Sequence, residues 1–364
     1  MEEDGSVGTW QIQGGQRFSE DGEPLLPGDM SIAVKDLPDR IITLRETDVV
    51  FPGLADFHVH VRPEHDTLPT IGVASKELLS SGVMLVGDAG TRGWEHFSSS
   101  AQDGQLPMIK VWLSVIKDGL AQHPYVPYFD GLTDGQSEEI FRTINCLGDE
   151  RAGLKIRLGQ HDLAEDQRLW KAGLRLARYC KVPLMVHITG TFLPLEEILE
   201  ALEGRDVITH VFHGQRGSLT ARRRLVNALF DTVAKGVILD VGHGSRHFSW
   251  STFFRLYAEG LRPHMISTDL TGLTWRKSPV YDLAFLCSKL VAGGLSWPEL
   301  YQGVVKRPFE YYSAHLPSNS VVVLRYWPRR VKFYDLDGHN VIGNGMWRPV
   351  LVMAQGKVIK DVLI

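Results

Sequence analysis

Two histidines one residue apart, His58 and His60, close the apolar run "FPGLADFHVH" at residues 51–60. On a strand, residues i and i+2 point to the same face, so both imidazoles aim at one spot where the strand runs out. A matched imidazole pair is a metal-ligand arrangement, but it needs partners from elsewhere in the chain. Candidates follow in order: Lys155 in "GLKIRL", His187 in "LMVHITG", His210 in "VITHVFHG" and Asp269 in "ISTDLTG". Each has an ordinary alternative taken alone. His187 or His210 would serve as a hydrogen-bonded core histidine, and Asp269 as a helix N-cap. Lys155 is harder to explain, because a buried lysine is costly unless paired or chemically changed. It could pair with Asp269 or Asp88. Alternatively, reaction with carbon dioxide would turn the cation into a carboxylate able to bridge two divalent metals. Six such groups, in the order His-x-His, Lys, His, His, Asp, point together to a metal centre.

The elements that must position these groups are visible in the hydrophobic pattern. Apolar runs at 49–60, 83–90, 107–115, 153–159, 182–190, 206–214, 236–244 and 263–272 alternate with amphipathic stretches such as 166–180 and 219–236. Strands buried on both faces read as continuous apolar runs. Eight of them alternating with helices predict an α/β fold, a parallel (β/α)8 TIM barrel over 49–316. The six groups then sit at the C-terminal ends of five strands, where such barrels carry their active sites. Residues 1–48 and 317–364 are rich in β-formers and turn residues, and predict one small β-sandwich domain built from both termini. No internal repeat, low-complexity segment or flexible linker interrupts the chain.

Composition excludes several classes of function. The chain has 364 residues, 43% hydrophobic and 23% charged, with a net charge of −4. That balance offers no basic face for nucleic acid or an anionic membrane, which leaves a small-molecule substrate as the expected partner. No apolar run approaches the roughly 18–20 residues needed to span a bilayer. The start, "MEEDGSVGTWQIQGG", lacks the basic-then-apolar order of a signal peptide. Cys146, Cys180 and Cys287 are few and widely spaced, which reads as reduced, buried thiols in a cytoplasmic protein. Self-association stays open, because no feature marks an interface.

These motifs resemble the metal-binding signatures of the amidohydrolase superfamily in its binuclear, carboxylated-lysine form. "GDAGT" at 87–91, "THVFHG" and "DVGHGSRHFSW" at 240–250 are similar to the dihydroorotase-like amidohydrolase/deacetylase group. The resemblance implies that His58, His60 and Asp269 hold one divalent ion and that His187 and His210 hold the other. Lys155, as N6-carboxylysine, would bridge them. Nitrogen and oxygen ligands without thiolate suit Zn2+, and also accommodate Mn2+, Fe2+ or Co2+. A hydroxide held between the metals would attack an amide or ester carbonyl, and Asp269 would shuttle the proton to the leaving group. The chain departs from the family pattern in its N-terminal strands, in "VVKRPFEYY", and at Arg246 and His247, where smaller residues are expected.

For substrate, Arg62 follows the pair in "HVHVR", where dihydroorotases carry a carboxylate-gripping arginine, and Arg157 shares the face of Lys155. Either arginine could instead serve a surface or interstrand ion pair; Arg246 is a further candidate. A guanidinium matches a carboxylate bidentately. His213 and His243 fall where loops line the mouth, and His243 has glycine on both sides, which predicts a substrate contact. The leading reading is a deacetylase-like metal-dependent hydrolase of a small acylated acid. Two others stand beside it: a cyclic amidase of dihydroorotase or hydantoinase type, and a catalytically silent assembly subunit.

Overall fold

Seven parallel strands stand in sequence order in one sheet: Leu54–Val59, Val83–Gly93, Met108–Ser114, Arg151–Arg157, Leu184–His187, Val207–Thr209 and Ile238–Asp240. This computed structural model describes residues 7–363 except 20, 26–27, 63–70, 96, 98–103 and 221. The acidic start, residues 1–6, thus lies outside the described residues. Helices Asp134–Cys146, Leu163–Cys180, Leu195–Ala201 and Arg223–Ala234 fall between the strands. Trp250–Ala258 and Leu283–Ala292 follow. Helix Leu163–Cys180 shows how the sequence sets such an element. Asp162 caps it by accepting from the Glu165 amide (2.8 Å), Lys181 ends it at a φ of 54°, and Leu169, Trp170, Leu176 and Ala177 form the buried stripe.

The eighth run does not form a strand. It makes a single bridge, Met265 to Asp240, and closes the barrel through separate hydrogen bonds. The Val241, His243 and Gly244 amides donate to Met265, Ser267 and Thr268 carbonyls on one side. On the other, the Asp269 amide donates to the His58 carbonyl (2.7 Å) and the His60 amide to that of Leu270 (2.9 Å). Asp269 lies at a φ of 51°, a left-handed conformation that no strand continues through.

The first run also differs from expectation. Val49–Phe51 pairs with Val322–Leu324 of the C-terminal sheet, and the barrel strand begins only at Leu54. Further along, Asp56 pairs with Val86 but Val59 with Asp88, so one extra residue bulges on the first strand. The bulge lets Phe57 stay in the barrel floor while His58 and His60 face the mouth. Phe57, Trp112 and Tyr312 fill that floor, where the Trp112 indole donates to the Tyr312 hydroxyl (2.8 Å). These side chains separate the polar strand ends from the N-terminal end of the barrel.

Beside the barrel, a three-stranded sheet (Met30–Lys35, Val7–Gln13, Arg40–Thr43) faces a four-stranded one (Lys357–Asp361, Asn340–Ala354, Val321–Tyr334, Val49–Phe51). Trp10, Ile12, Ile32, Val34, Val321, Val323, Leu351 and Met353 form the core between them. Alternating burial along Val7–Gln13 is what a strand with one wet face requires. Of the three cysteines, Cys180 and Cys287 are buried, whereas Cys146, expected inside, is exposed at the end of its helix. Among the described residues no helix is long and apolar enough to cross a membrane.

Candidate metal centre

His58, His60 and Asp269 come together as the sequence requires. The Nε2 atoms of His58 and His60 lie 3.2 and 3.1 Å from the same oxygen, Asp269 Oδ1. Their Nδ1 atoms are held from behind. The Thr209 hydroxyl donates to Asp240 Oδ2 (2.6 Å), so its oxygen is left to accept from His58 Nδ1 (2.8 Å). The same arrangement recurs at His60, where Nδ1 lies 2.9 Å from the Thr91 hydroxyl, which itself donates to Asp88. Each imidazole is thereby fixed with its proton on Nδ1 and its lone pair at Nε2 facing the site. Asp240 also accepts from the Ser267 hydroxyl (2.5 Å), and Asp56 accepts from the Thr268 amide (2.9 Å) and hydroxyl, tying the Asp269 segment to its neighbours.

His187 and His210 form a second group beside the first. Their ring centroids are 4.4 Å apart, and His210 is 5.1 Å from His58. His210 Nδ1 donates to the Gly242 carbonyl (2.6 Å), again leaving Nε2 free. His247 joins this group, with centroids 4.2 Å from His210 and 4.9 Å from His187. Sequence reasoning registered His247 only as a departure. His210 and Asp269 both sit at positive φ, 65° and 51°, a local strain of the kind that gathers at functional sites.

The electrostatics follow from burial. Burial holds the His187 and His210 imidazoles well below their ordinary range and brings His60 down to about 4. All three are therefore neutral at neutral pH. For His58, burial and the Lys155 charge push downward, but Asp269 and Asp240 outweigh them and raise it. Asp269 is driven up by burial and pulled well below the carboxylate range by His58 and His60. Burial brings Lys155 down to about 7, against the pull of Asp269 and Asp240. Its Nζ makes no hydrogen bond among the described residues, and the residue is 2% exposed. Neither the Asp269 nor the Asp88 ion pair considered for it forms.

These residues fit divalent metals. Two Nε2 lone pairs facing one carboxylate oxygen at 3.1–3.2 Å repel unless a cation or a proton stands among them. The upward shift of His58 expresses the same demand. The orphaned amine of Lys155 fits conversion to an anionic group. Nitrogen and oxygen donors without thiolate complete a hard-to-borderline set.

The substrate-contact expectations fare differently. Arg157 is half-buried beside the cluster, where its charge lowers His60, His187 and His247, and it hydrogen-bonds to no described residue. Arg62 is exposed on the short strand Val61–Arg62, and Arg246 is exposed on the turn after Gly244. His243 does not face the mouth. Its Nδ1 donates to the Gly244 carbonyl (2.7 Å), its Nε2 meets Lys289 Nζ at 2.6 Å, and its ring stacks on Phe248, so both nitrogens are occupied inside the protein. His213 is likewise internal, with Nε2 donating to the Gly217 carbonyl (3.0 Å). The flanking glycine serves other residues. Gly244 sits at a φ of 50°, and a Cβ there would lie 2.5 Å from Asp269 Oδ2 and 2.7 Å from His247 Cδ2.

No family model matches the chain. A protein named deacetylase from Enterococcus faecalis is 31% identical over 290 residues, 74% of each chain. The chain belongs to the amidohydrolase superfamily. A deacetylase from Agrobacterium fabrum is 30% identical over 71% of this chain, a match spanning 64% of that relative's length. Among solved structures, a dihydroorotase superposes with a TM-score of 0.80 at 22% identity, covering 97% of this amidohydrolase and 98% of the other chain. An adenine deaminase gives 0.76 at 22% identity, over 97% and 99%. At that identity the likeness is one of fold, the TIM barrel with its added antiparallel sheets.

Proposed function

We propose that the protein is a metal-dependent hydrolase that removes the acyl group from a small, carboxylate-bearing amide or ester, as a deacetylase does. The observation that carries this reading is the convergence of His58 Nε2 and His60 Nε2 on Asp269 Oδ1, with both Nδ1 atoms tied back by threonine. His58, His60 and Asp269 would hold one divalent ion, His187 and His210 the other, and carboxylated Lys155 would lie between them. Zn2+ suits these donors, and dissolved carbon dioxide would supply the lysine modification. Bound there, such ions acidify a water and polarise a carbonyl oxygen.

The chain's own residues supply the rest. Asp269 turns Oδ1 toward His58 and His60, which leaves Oδ2 to take a proton from the attacking water and deliver it to the leaving nitrogen or oxygen. Arg157, half-buried and without a hydrogen-bond partner among the described residues, would grip the substrate carboxylate bidentately. The deacetylase names of two relatives at 30–31% identity favour a linear acyl substrate.

The test is a side-by-side assay of the metal-loaded protein on N-acetyl amino acids, O-acetyl hydroxy acids and dihydroorotate. Turnover of an acetylated acid with dihydroorotate untouched is expected. Turnover of dihydroorotate alone would establish a cyclic amidase. No turnover of any member, with metal bound, would favour the silent subunit.

A further inference from the structure

His247 stands in the turn after Gly244, at a position where the family pattern leads one to expect a smaller residue. Its ring closes a triangle with His187 and His210, and one nitrogen from each lies within 4.8 Å of the others. Its Nδ1 lies 3.1 Å from Thr189 Oγ1, as His58 pairs with Thr209 at 2.8 Å and His60 with Thr91 at 2.9 Å. Its Nε2 faces inward, 3.7 Å from Asp269 Oδ2, too far for a hydrogen bond. A histidine with Nδ1 backed by oxygen and Nε2 turned on a shared centre has the geometry of a metal ligand. The backbone also admits it, since only a residue without Cβ at Gly244 lets His247 and Asp269 approach together.

We propose that His247 is a protein ligand of the second ion, completing a three-histidine set with His187 and His210. The proposal rests on the metal-centre reading above. Counting the shared Lys155 carboxylate, it balances the two halves of the site: four protein ligands for the ion at His58, His60 and Asp269, and four for the ion at His187, His210 and His247. Without His247 the second ion would have three against four for the first.

The experiment titrates metal-free wild-type protein, His247→Asn and His247→Ala with Co2+ against a competing chelator, recording visible absorption. The asparagine amide can still reach Thr189 but has no atom at the Nε2 position. Two ions bound by the wild type, and one of them weakened about 100-fold or more in both variants with a changed absorption band, is the expected result. The other ion should stay within about threefold. Two ions bound by both variants with wild-type affinity and spectrum would overturn the ligand role while leaving the metal centre intact. No ion bound by the wild type would overturn both. A crystal structure of the zinc-loaded wild type reads the same point independently of any variant. An Nε2–zinc distance of about 2.0–2.1 Å supports the proposal, and one beyond about 3 Å overturns it.

Discussion

Asp240 lies behind His58 and Thr209, and from there it should control how tightly an ion at His58, His60 and Asp269 is held. It is fully buried and accepts from Thr209 Oγ1 (2.6 Å), Ser267 Oγ (2.5 Å) and His58 Nδ1 (3.1 Å). Asp240→Asn keeps the shape and removes the charge. The amide can turn its NH2 toward Ser267, whose oxygen also accepts from the Gly242 amide, and keep its carbonyl toward Thr209 and His58. Thr209 and His58 then bond to a neutral carbonyl in place of a carboxylate, and Ser267 accepts from the new NH2 where it donated before. Hydrogen bonds to charged groups contribute about 1.5–3 kcal/mol and neutral ones about 0.5–1.5, a difference of about 1–1.5 per bond, so with the Thr209 and His58 bonds both changed the metal-free fold should lose about 2–3 kcal/mol. Loss of such a backing group behind a ligating histidine costs about 10–100-fold in metal affinity. Only the ion at His58, His60 and Asp269 should feel it, because Asp240 makes no hydrogen bond to His187 or His210. Chelator competition on both proteins, with urea unfolding of the metal-free forms, measures the two quantities separately. Metal affinity within about twofold of wild type would refute the claim that Asp240 orients His58.

Asp269→Asn removes the proton carrier while retaining an oxygen ligand, so kcat should fall by about 10²–10⁴-fold with metal content partly kept; near-normal turnover would exclude the proton-shuttle role. Arg157→Met should raise KM by about tenfold or more with kcat little changed if the guanidinium grips the substrate carboxylate, whereas an unchanged KM would place the carboxylate elsewhere. The Lys155 amine, lowered to about 7 by burial, must be neutral to react with carbon dioxide. At fixed dissolved carbon dioxide, the 13C carbamate signal of metal-free protein should therefore rise as pH rises through about 7 and fade below it. Equal signals at pH of about 6 and 8 would contradict that sign, since an ordinary or shifted amine must change protonation state to respond.

The barrel and the order of the polar groups at its mouth were legible because strands buried on both faces leave long apolar runs, against which His58, Lys155, His187 and Asp269 stand out. What escaped notice lies in relations between strands. The Asp–Thr–His relays at Asp240–Thr209–His58 and Asp88–Thr91–His60 use residue types common in any strand, and only the fold aligns them. The "DVGHG" segment misled on His243, because flanking glycines announce a close approach without saying which neighbour needs it; here these are Asp269 and His247. The eighth strand failed because Asp269 must leave the extended conformation to turn its carboxylate to the site. His247 lay in a loop with no periodicity, and its signal was only that a third histidine followed "GHG" within a few residues.

Whether the mouth of the barrel holds a two-metal centre bridged through Lys155 is read from metal content per chain. Purified wild-type protein and Lys155→Ala would be measured together, after incubation with zinc and bicarbonate. About two divalent ions per wild-type chain and a clear loss in the variant are expected, since a bridging ligand goes. A wild-type chain that holds no metal would contradict the two-metal centre, and would make the histidines of "FHVH" structural.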